Sequence, residues 1–332
     1  MRFGPTPIAD AAGAVLAHTL RVGDEVLKKG RRLSREDVGC LESLGITSVV
    51  CARLDPTDVA EDEAAVRIAQ ALAGEAVSVA EPFTGRANLH AGRRGLVDFE
   101  PAAIDRLNAV DEAVAVSTVA LHAPVESGQM VCTVKIIPFA VDRTLLDRAV
   151  AAGARISVRG FRPARAGMIS TRLPGVRESV VDRAVANMRA RLERIGGRLE
   201  IERRSPHDET GIAEAIRHLV EGGCSPILIL GASAIVDRGD VVPRSVVAAG
   251  GEILRLGIPV DPGNLLLLAR IGGVPVLGVP GCARSLARSG FDQVLERLLA
   301  GIEVDATALS QMGSGGLLGE ISTRPQPRAA PR

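Results

Sequence analysis

The run Leu230 to Asp240, LGASAIVDRGD, holds the residues in this chain best suited to chemistry. Gly231, Ala232 and Ser233 are small enough to let backbone approach an anion, and Asp237 and Asp240 follow on what should be a surface loop. Such a stretch can cradle a phosphate while its acids hold Mg²⁺ or act as a base. The same residues also suit a structural end, a tight turn followed by Asp240 capping a helix, and residue types alone leave both readings open. Three other stretches have a related makeup. They are ISTRLPG at 169–175, with Ser170, Thr171 and Arg172; SPHDE at 205–209, with Asp208; and VPGCARS at 279–285, with Pro280, Gly281 and Ser285. The last suits a phosphate at a helix N-terminus, and equally an ordinary Pro-Gly helix entry.

Other chemistries find no support in the 332 residues. His18, His90, His122, His207 and His218 lack the spacing of a metal site, so they read as satisfied or solvated side chains. Cys40, Cys51, Cys132, Cys224 and Cys282 form no CxxC pair and are expected to be reduced thiols. Only Lys28, Lys29 and Lys135 are lysines and none follows a Gly-rich turn, which removes a P-loop; GxSxG is absent, and GSGGLLG near the end does not sit between a strand and a helix. A formal net charge of +1 gives no field to gather nucleic acid, and 2% aromatics, with no Trp or Tyr, gives no stacking platform for it. The N-terminus has no apolar h-region and no stretch is long enough to span a bilayer, so the expectation is a cytoplasmic protein without nucleic-acid or membrane partners.

These stretches need elements to hold them. Residues 1–157 predict a smaller α+β region: a Ser34-capped helix and the strand ITSVV, a helix over Glu61 to Leu72, then short β-rich runs between Gly and Pro turns from Ala76 to Asp142. Over 158–304 the pattern changes. AGMIST, RLEIERRS and PILILG read as strands separated by helical periodicity, with Asp208 capping the second helix, which implies an α/β domain whose mostly parallel sheet is covered on both faces. A short helix over VVPRSVVAAG, strands in EILRL, LLLLARI and VPVLGV, and a closing helix over CARSLARSGFDQVLERLLAG complete it. Residues 305–332, ending STRPQPRAAPR, read as a disordered tail or linker. Ligands of such sheets bind beyond the carboxyl ends of the strands, where all four stretches fall.

The order AGMISTRLPG, SPHDET, LGASAIVDRGDVVP, VDPGNLLLL, VLGVPG resembles the molybdopterin-binding domain shared by molybdopterin molybdenumtransferases and adenylyltransferases, over about residues 158–302. DAAGAVLAH and KKGRRLSREDVGCLESLGITSVV are similar, more loosely, to the molybdenumtransferase N-terminal region. The resemblance implies a three-layer domain of molybdenum-cofactor biosynthesis that binds molybdopterin or its nucleotidylated form and transfers molybdenum or nucleotide with Mg²⁺. It further implies that Asp240 is the metal ligand and supports Mg²⁺-dependent transfer, that Gly231 and Ser233 form the cradle, and that Asp208 is the helix-start acid. Pro262, Gly263 and Asn264 would fix a pocket wall, and Pro280-Gly281 would form the last phosphate loop. A homo-oligomer is expected by the same analogy. Where many members have Gly-Asp-Glu in the first loop, this chain has Arg172-Leu173-Pro174, which removes acids and adds a cation suited to phosphate. That departure favours a second reading, a non-catalytic carrier that presents the pterin to a nucleotidyltransferase, such as a cytidylyltransferase, or to a molybdoenzyme.

Overall fold

The computed structural model describes residues 1–22, 25–175 and 177–318 of a mixed α/β chain. It divides into two compact units, Met1–Gly160 and Phe161–Arg332. Among the described residues no helix is long and apolar enough to cross a membrane.

In the first unit, Ser48–Arg53 lies between Arg2–Pro7 and Val15–Leu16 in an antiparallel sheet. The helix Arg35–Ser43 opens with a capping box: the Asp37 N–H donates to Ser34 Oγ, and Asp37 Oδ2 accepts the Ser34 N–H at 2.8 Å. The Ser34 N–H, followed by burial acting the other way and by Arg31, leaves the Asp37 carboxyl below its ordinary range. Glu61–Leu72 forms the expected helix, and its Ile68, Ala69 and Leu72 are buried in one apolar cluster with Leu89 and Val134 of a four-stranded antiparallel sheet. The stretch 76–142 is not wholly β, as the sequence suggested. Pro101–Asn108 is a helix with Pro at its first position, where the missing N–H costs nothing and the fixed φ suits the turn.

The second unit contains β1 (Ala164–Arg172), α1 (Glu178–Glu193), β2 (Gly197–Pro206), α2 (Glu209–Glu221), β3 (Ile227–Leu230), α3 (Val241–Ala248), β4 (Glu252–Leu256), β5 (Leu267–Ile271), β6 (Val274–Gly278) and α4 (Gly290–Leu299). One six-stranded sheet has the order β2-β1-β3-β6-β5-β4. Strands β2, β1, β3 and β6 run parallel, and only β5 opposes its neighbours. The four residues of β3 are all buried, as a strand covered on both faces requires. Period-two alternation sends Met168, Leu228 and Leu277 into one core with Val185, Met188 and Leu192 of α1 and Phe291, Val294 and Leu295 of α4. Ile169, Ile227 and Ile229 enter the other core, with Ile212, Ile216 and Leu219 of α2 and Val242 and Val246 of α3. Outermost strand β2 carries Arg198, Glu200, Glu202, Arg203 and Arg204, and β4, at the opposite limit of the sheet, has a register break between Ile253 and Arg255.

Two expectations fail here. The closing helix does not run unbroken from Cys282. Gly281–Arg284 is a single 3-10 turn, and α4 begins only after Ser289, whose amide and hydroxyl both donate to Asp292 Oδ2. The tail does not begin at 305 either. Asp305 caps the short helix Ala306–Ser310, Leu309 and Met312 are buried in the unit's core, and Leu317 pairs with Asp261. Apolar residues spaced along that segment explain why it packs; 319–332 lie outside the described residues.

Candidate functional site

The chain leaves β1 through α1 to reach β2 on one side, then returns through α2 to place β3 on the other side of β1. The carboxyl ends of β1 and β3 therefore flank a topological switch point, where the connections diverge and open a crevice. The last residues of β1 and those following β2 and β3 meet there.

Three side chains form a chain of contacts across it. The Ala232 N–H donates to Thr171 Oγ1 at 2.7 Å, Thr171 Oγ1 lies 2.8 Å from His207 Nδ1, and His207 Nε2 lies 3.1 Å from Ser233 Oγ. The His207 N–H donates to the Arg172 carbonyl at 3.0 Å, which holds the ring beside the end of β1. Thr171 Oγ1 accepts from Ala232 and is free either to donate to Nδ1 or to accept from it, so the contacts are compatible with both imidazole tautomers. Ser233 lies exposed at the outer end of the relay, where its hydroxyl can meet a ligand. Thr171 is 5% exposed, so the inner end of the relay is sheltered from water. His207 went unrecognised as a bare histidine; its place directly after a strand and before a helix cap was the usable signal.

Ser170 points to the opposite face of β1. It is 1% exposed, and among the described residues its Oγ has no hydrogen-bond partner. Gly231, at the end of β3, lies under its own loop: a Cβ there would sit 2.8 Å from the Ser233 carbonyl oxygen, so any side chain would push the loop away. Arg284 donates to the Gly231 carbonyl at 2.8 Å, and its own carbonyl accepts from Asn187 at 2.7 Å.

Behind this crevice is a clamp that the sequence did not reveal. Arg191 of α1, 2% exposed, donates to Asp292, to the carbonyls of Ala283 and Ala287 at 3.0 Å each, and to that of Ser285 at 2.7 Å. One guanidinium thus organises the whole loop between β6 and α4.

The remaining expected residues have other partners. Arg172 pairs with Glu178, which also pairs with Arg204, so its guanidinium belongs to a surface ion network and is not presented to the crevice as a phosphate ligand. Asp208 caps α2, accepting the Gly211 N–H at 2.8 Å. Asp237 accepts the Gly239 N–H at 2.7 Å. Asp240 precedes α3 without a side-chain capping bond; its Oδ2 accepts the N–H groups of Val236 at 2.7 Å and Asp237 at 3.1 Å. Those two amides, with a smaller contribution from His207, hold the Asp240 carboxyl below its ordinary range. The Pro262 carbonyl accepts the Gly290 N–H at 2.8 Å, which seats the Pro262-Gly263-Asn264 turn on the start of α4. Gly263 has φ +132°, and a Cβ on it would lie 2.7 Å from Gly290 N. Pro280 and Gly281 open the 3-10 turn, and Ser285 Oγ donates to the Cys282 carbonyl at 3.1 Å. Among the described residues, no hydrogen bond ties Pro262, Gly263, Asn264 or Ser285 to the Thr171–His207–Ser233 relay.

The donor set at the crevice fits a phosphate: hydroxyls and an imidazole converge, and the acids are engaged with loop amides. It does not fit a metal held by protein alone, since among the described residues no three His, Cys, Asp or Glu side chains are grouped to hold one. All five cysteines are free, and burial pushes the Cys132 thiol up to about 12.

Comparison with known proteins adds little to this geometry. A family described as "Domain of unknown function (DUF8806)" matches residues 5–53. No curated protein matches the chain. Among solved structures, a molybdopterin biosynthesis MoeA protein from Pyrococcus horikosii shares 14% identity at a TM-score of 0.32, with 93% of this chain and 75% of that one covered. A molybdenum cofactor biosynthesis protein from Pyrococcus furiosus shares 14% identity at a TM-score of 0.24, covering 91% of this chain and 66% of the other. TM-scores this low do not establish a common fold.

Proposed function

We propose that the chain is a molybdopterin-binding protein of molybdenum-cofactor biosynthesis and that the crevice beyond β1 and β3 takes the phosphate of the pterin. The observation that carries this reading is the Thr171–His207–Ser233 relay at the switch point, which joins three of the stretches that resemble the pterin-binding domain. In this reading Ser233 donates its hydroxyl proton to a phosphate oxygen, His207 holds the Ser233 oxygen in place, and Thr171 holds the imidazole at Nδ1. Gly231 keeps the loop close enough for the ligand to approach backbone. Ser170, buried and without a partner among the described residues, adds a polar group on the other face of the same strand.

Binding without chemistry is the version the donor set favours, because Arg172, Asp237 and Asp240 are all engaged within the protein. Such a carrier would hand the pterin to a nucleotidyltransferase partner. Mg²⁺-dependent transfer of molybdenum or nucleotide is the second reading, and one observation favours it: Asp240 is held in its charged form next to the relay.

Calorimetric titration with molybdopterin, with and without Mg²⁺, separates the two. The carrier reading expects saturable binding indifferent to Mg²⁺ and to Asp240→Asn, weakened about tenfold by Ser233→Ala through loss of one bond to a charged oxygen. Binding that needs both Mg²⁺ and Asp240 would replace it with the transfer reading. An absence of binding would end both.

A further inference from the structure

The first unit contains a cleft of about 600 Å³ that none of the preceding chemistry uses. Its lining includes Phe3, Lys29, Glu61, Arg86, Lys135 and Phe139. That volume suits a small organic ligand, since such sites run from about 300 to 1,000 Å³. The composition of the lining is unusual for this chain. Two of its three lysines are here, and of its six phenylalanines Phe3 and Phe139 line the cleft, with Phe83 packed under Arg86.

The arrangement has an apolar part and a cationic part. The Phe3 and Phe139 rings stack with centroids 6.5 Å apart and planes 17° apart, and Phe3 is 59% exposed, as is Ile137 on the lining. Lys29 Nζ lies 5.7 Å from the Phe139 ring centre, and the Arg86 guanidinium 5.6 Å from that of Phe83. Lys135 pairs with Glu61 at 3.4 Å and donates to the Thr84 carbonyl at 2.7 Å. The N-terminal ammonium of Met1 is neutralised by Asp55 and Asp58. Lys29 and Arg86, by contrast, form no ion pair with any described carboxylate. Two cations held over rings and without a counter-charge among the described residues, beside an exposed aromatic face, form a receptor for a molecule that is both flat and anionic.

We propose that this cleft binds a small aromatic anion, its ring against Phe3 and Ile137 and its phosphate or carboxylate between Lys29 and Arg86. The site is separate from the crevice of the second unit and does not depend on the function assigned there.

Naphthalene derivatives test it on the 332-residue chain, whose lack of Trp and Tyr leaves probe fluorescence free of protein background. 1-Naphthyl phosphate and 1-naphthoate are titrated beside 1-naphthol, which lacks the charge, and inorganic phosphate, which lacks the ring. At least one of the two anions is expected to bind about tenfold or more tighter than 1-naphthol and inorganic phosphate, and whichever wins identifies the anion preferred. Lys29→Gln and Arg86→Gln should each weaken that anion several-fold and leave 1-naphthol unchanged, whereas Phe3→Ala should weaken that anion and 1-naphthol alike. All three positions lie on the surface or partly so, and Ser233→Ala should change nothing. Equal binding of 1-naphthol and the anions, or affinities unmoved by Lys29→Gln and Arg86→Gln, would overturn the proposal.

Discussion

At the scale of single residues, Thr171 is the one on which the crevice turns. Its hydroxyl serves Ala232 and His207 at once, and it is nearly buried. Thr171→Val keeps the shape and the β-branch but strands an amide and a ring nitrogen, so it should destabilise the second unit by about 1–3 kcal/mol in urea denaturation. Asp240 gives a pH signature whose sign is fixed. Its folded carboxyl titrates lower than its unfolded one, so the stability it adds is fully present above the unfolded value and is lost as pH falls through the lowered folded value. The gap in urea midpoint between wild type and Asp240→Asn should therefore be constant near neutrality and shrink as pH drops below about 3.9. A gap that widened in acid would contradict the two amide bonds to Val236 and Asp237. Asp240 and Gly231 were legible as residues of a tight turn and a helix start, which Gly and Asp suit, but residue types alone did not choose between that and a ligand site. For His207 only its place between a strand and a helix cap was legible; its Nδ1 and Nε2 partners were not, because only the sheet order brings them to it.

At the scale of elements, the loop between β6 and α4 is held by a residue from a different helix. Arg191 lies 92 residues before the Ala283 carbonyl and 101 before Asp292, too far for local sequence to signal the arrangement. Read locally, CARSLARSGFDQVLERLLAG looks like one helix; in the protein Arg191 takes the carbonyls of 283, 285 and 287 out of any helical ladder, and Ser289 starts the helix afresh. By contrast the caps at Ser34 and Asp208 were legible, since a cap is made by residues three apart. Arg191→Met should cost about 3–5 kcal/mol, because it leaves Asp292 charged and buried. Adding Asp292→Leu should restore only part of this, since three loop carbonyls would still lack their donor; full recovery would show that the loop does not need the clamp. Gly263→Ala should also destabilise, through its φ of +132° and through collision with the first residue of α4. The check is whether amide exchange accelerates at Gly290 and Phe291 rather than across the whole sheet.

At the scale of the whole molecule, the division after Gly160 leaves each unit with apolar clusters of its own. A fragment beginning at Phe161 is therefore expected to fold cooperatively alone and to reproduce the urea midpoint shift of Thr171→Val; a fragment without a sigmoidal transition would show that the cores are not self-sufficient. The parallel order of the sheet was legible because buried strands alternating with helical periodicity admit few other arrangements. The lone reversed strand β5 was not, since LLLLARI reads the same in either direction. The outer strands of this sheet bear on how copies of the chain meet. Along β2 every extra strand would have to approach Arg198, Glu200, Glu202, Arg203 and Arg204, and along β4 the break between Ile253 and Arg255 puts the backbone out of step with any straight neighbour. Sheet growth from molecule to molecule is thus blocked at both limits, and replacing Glu200, Glu202 and Arg203 with threonine should raise light scattering on storage while leaving the fold intact.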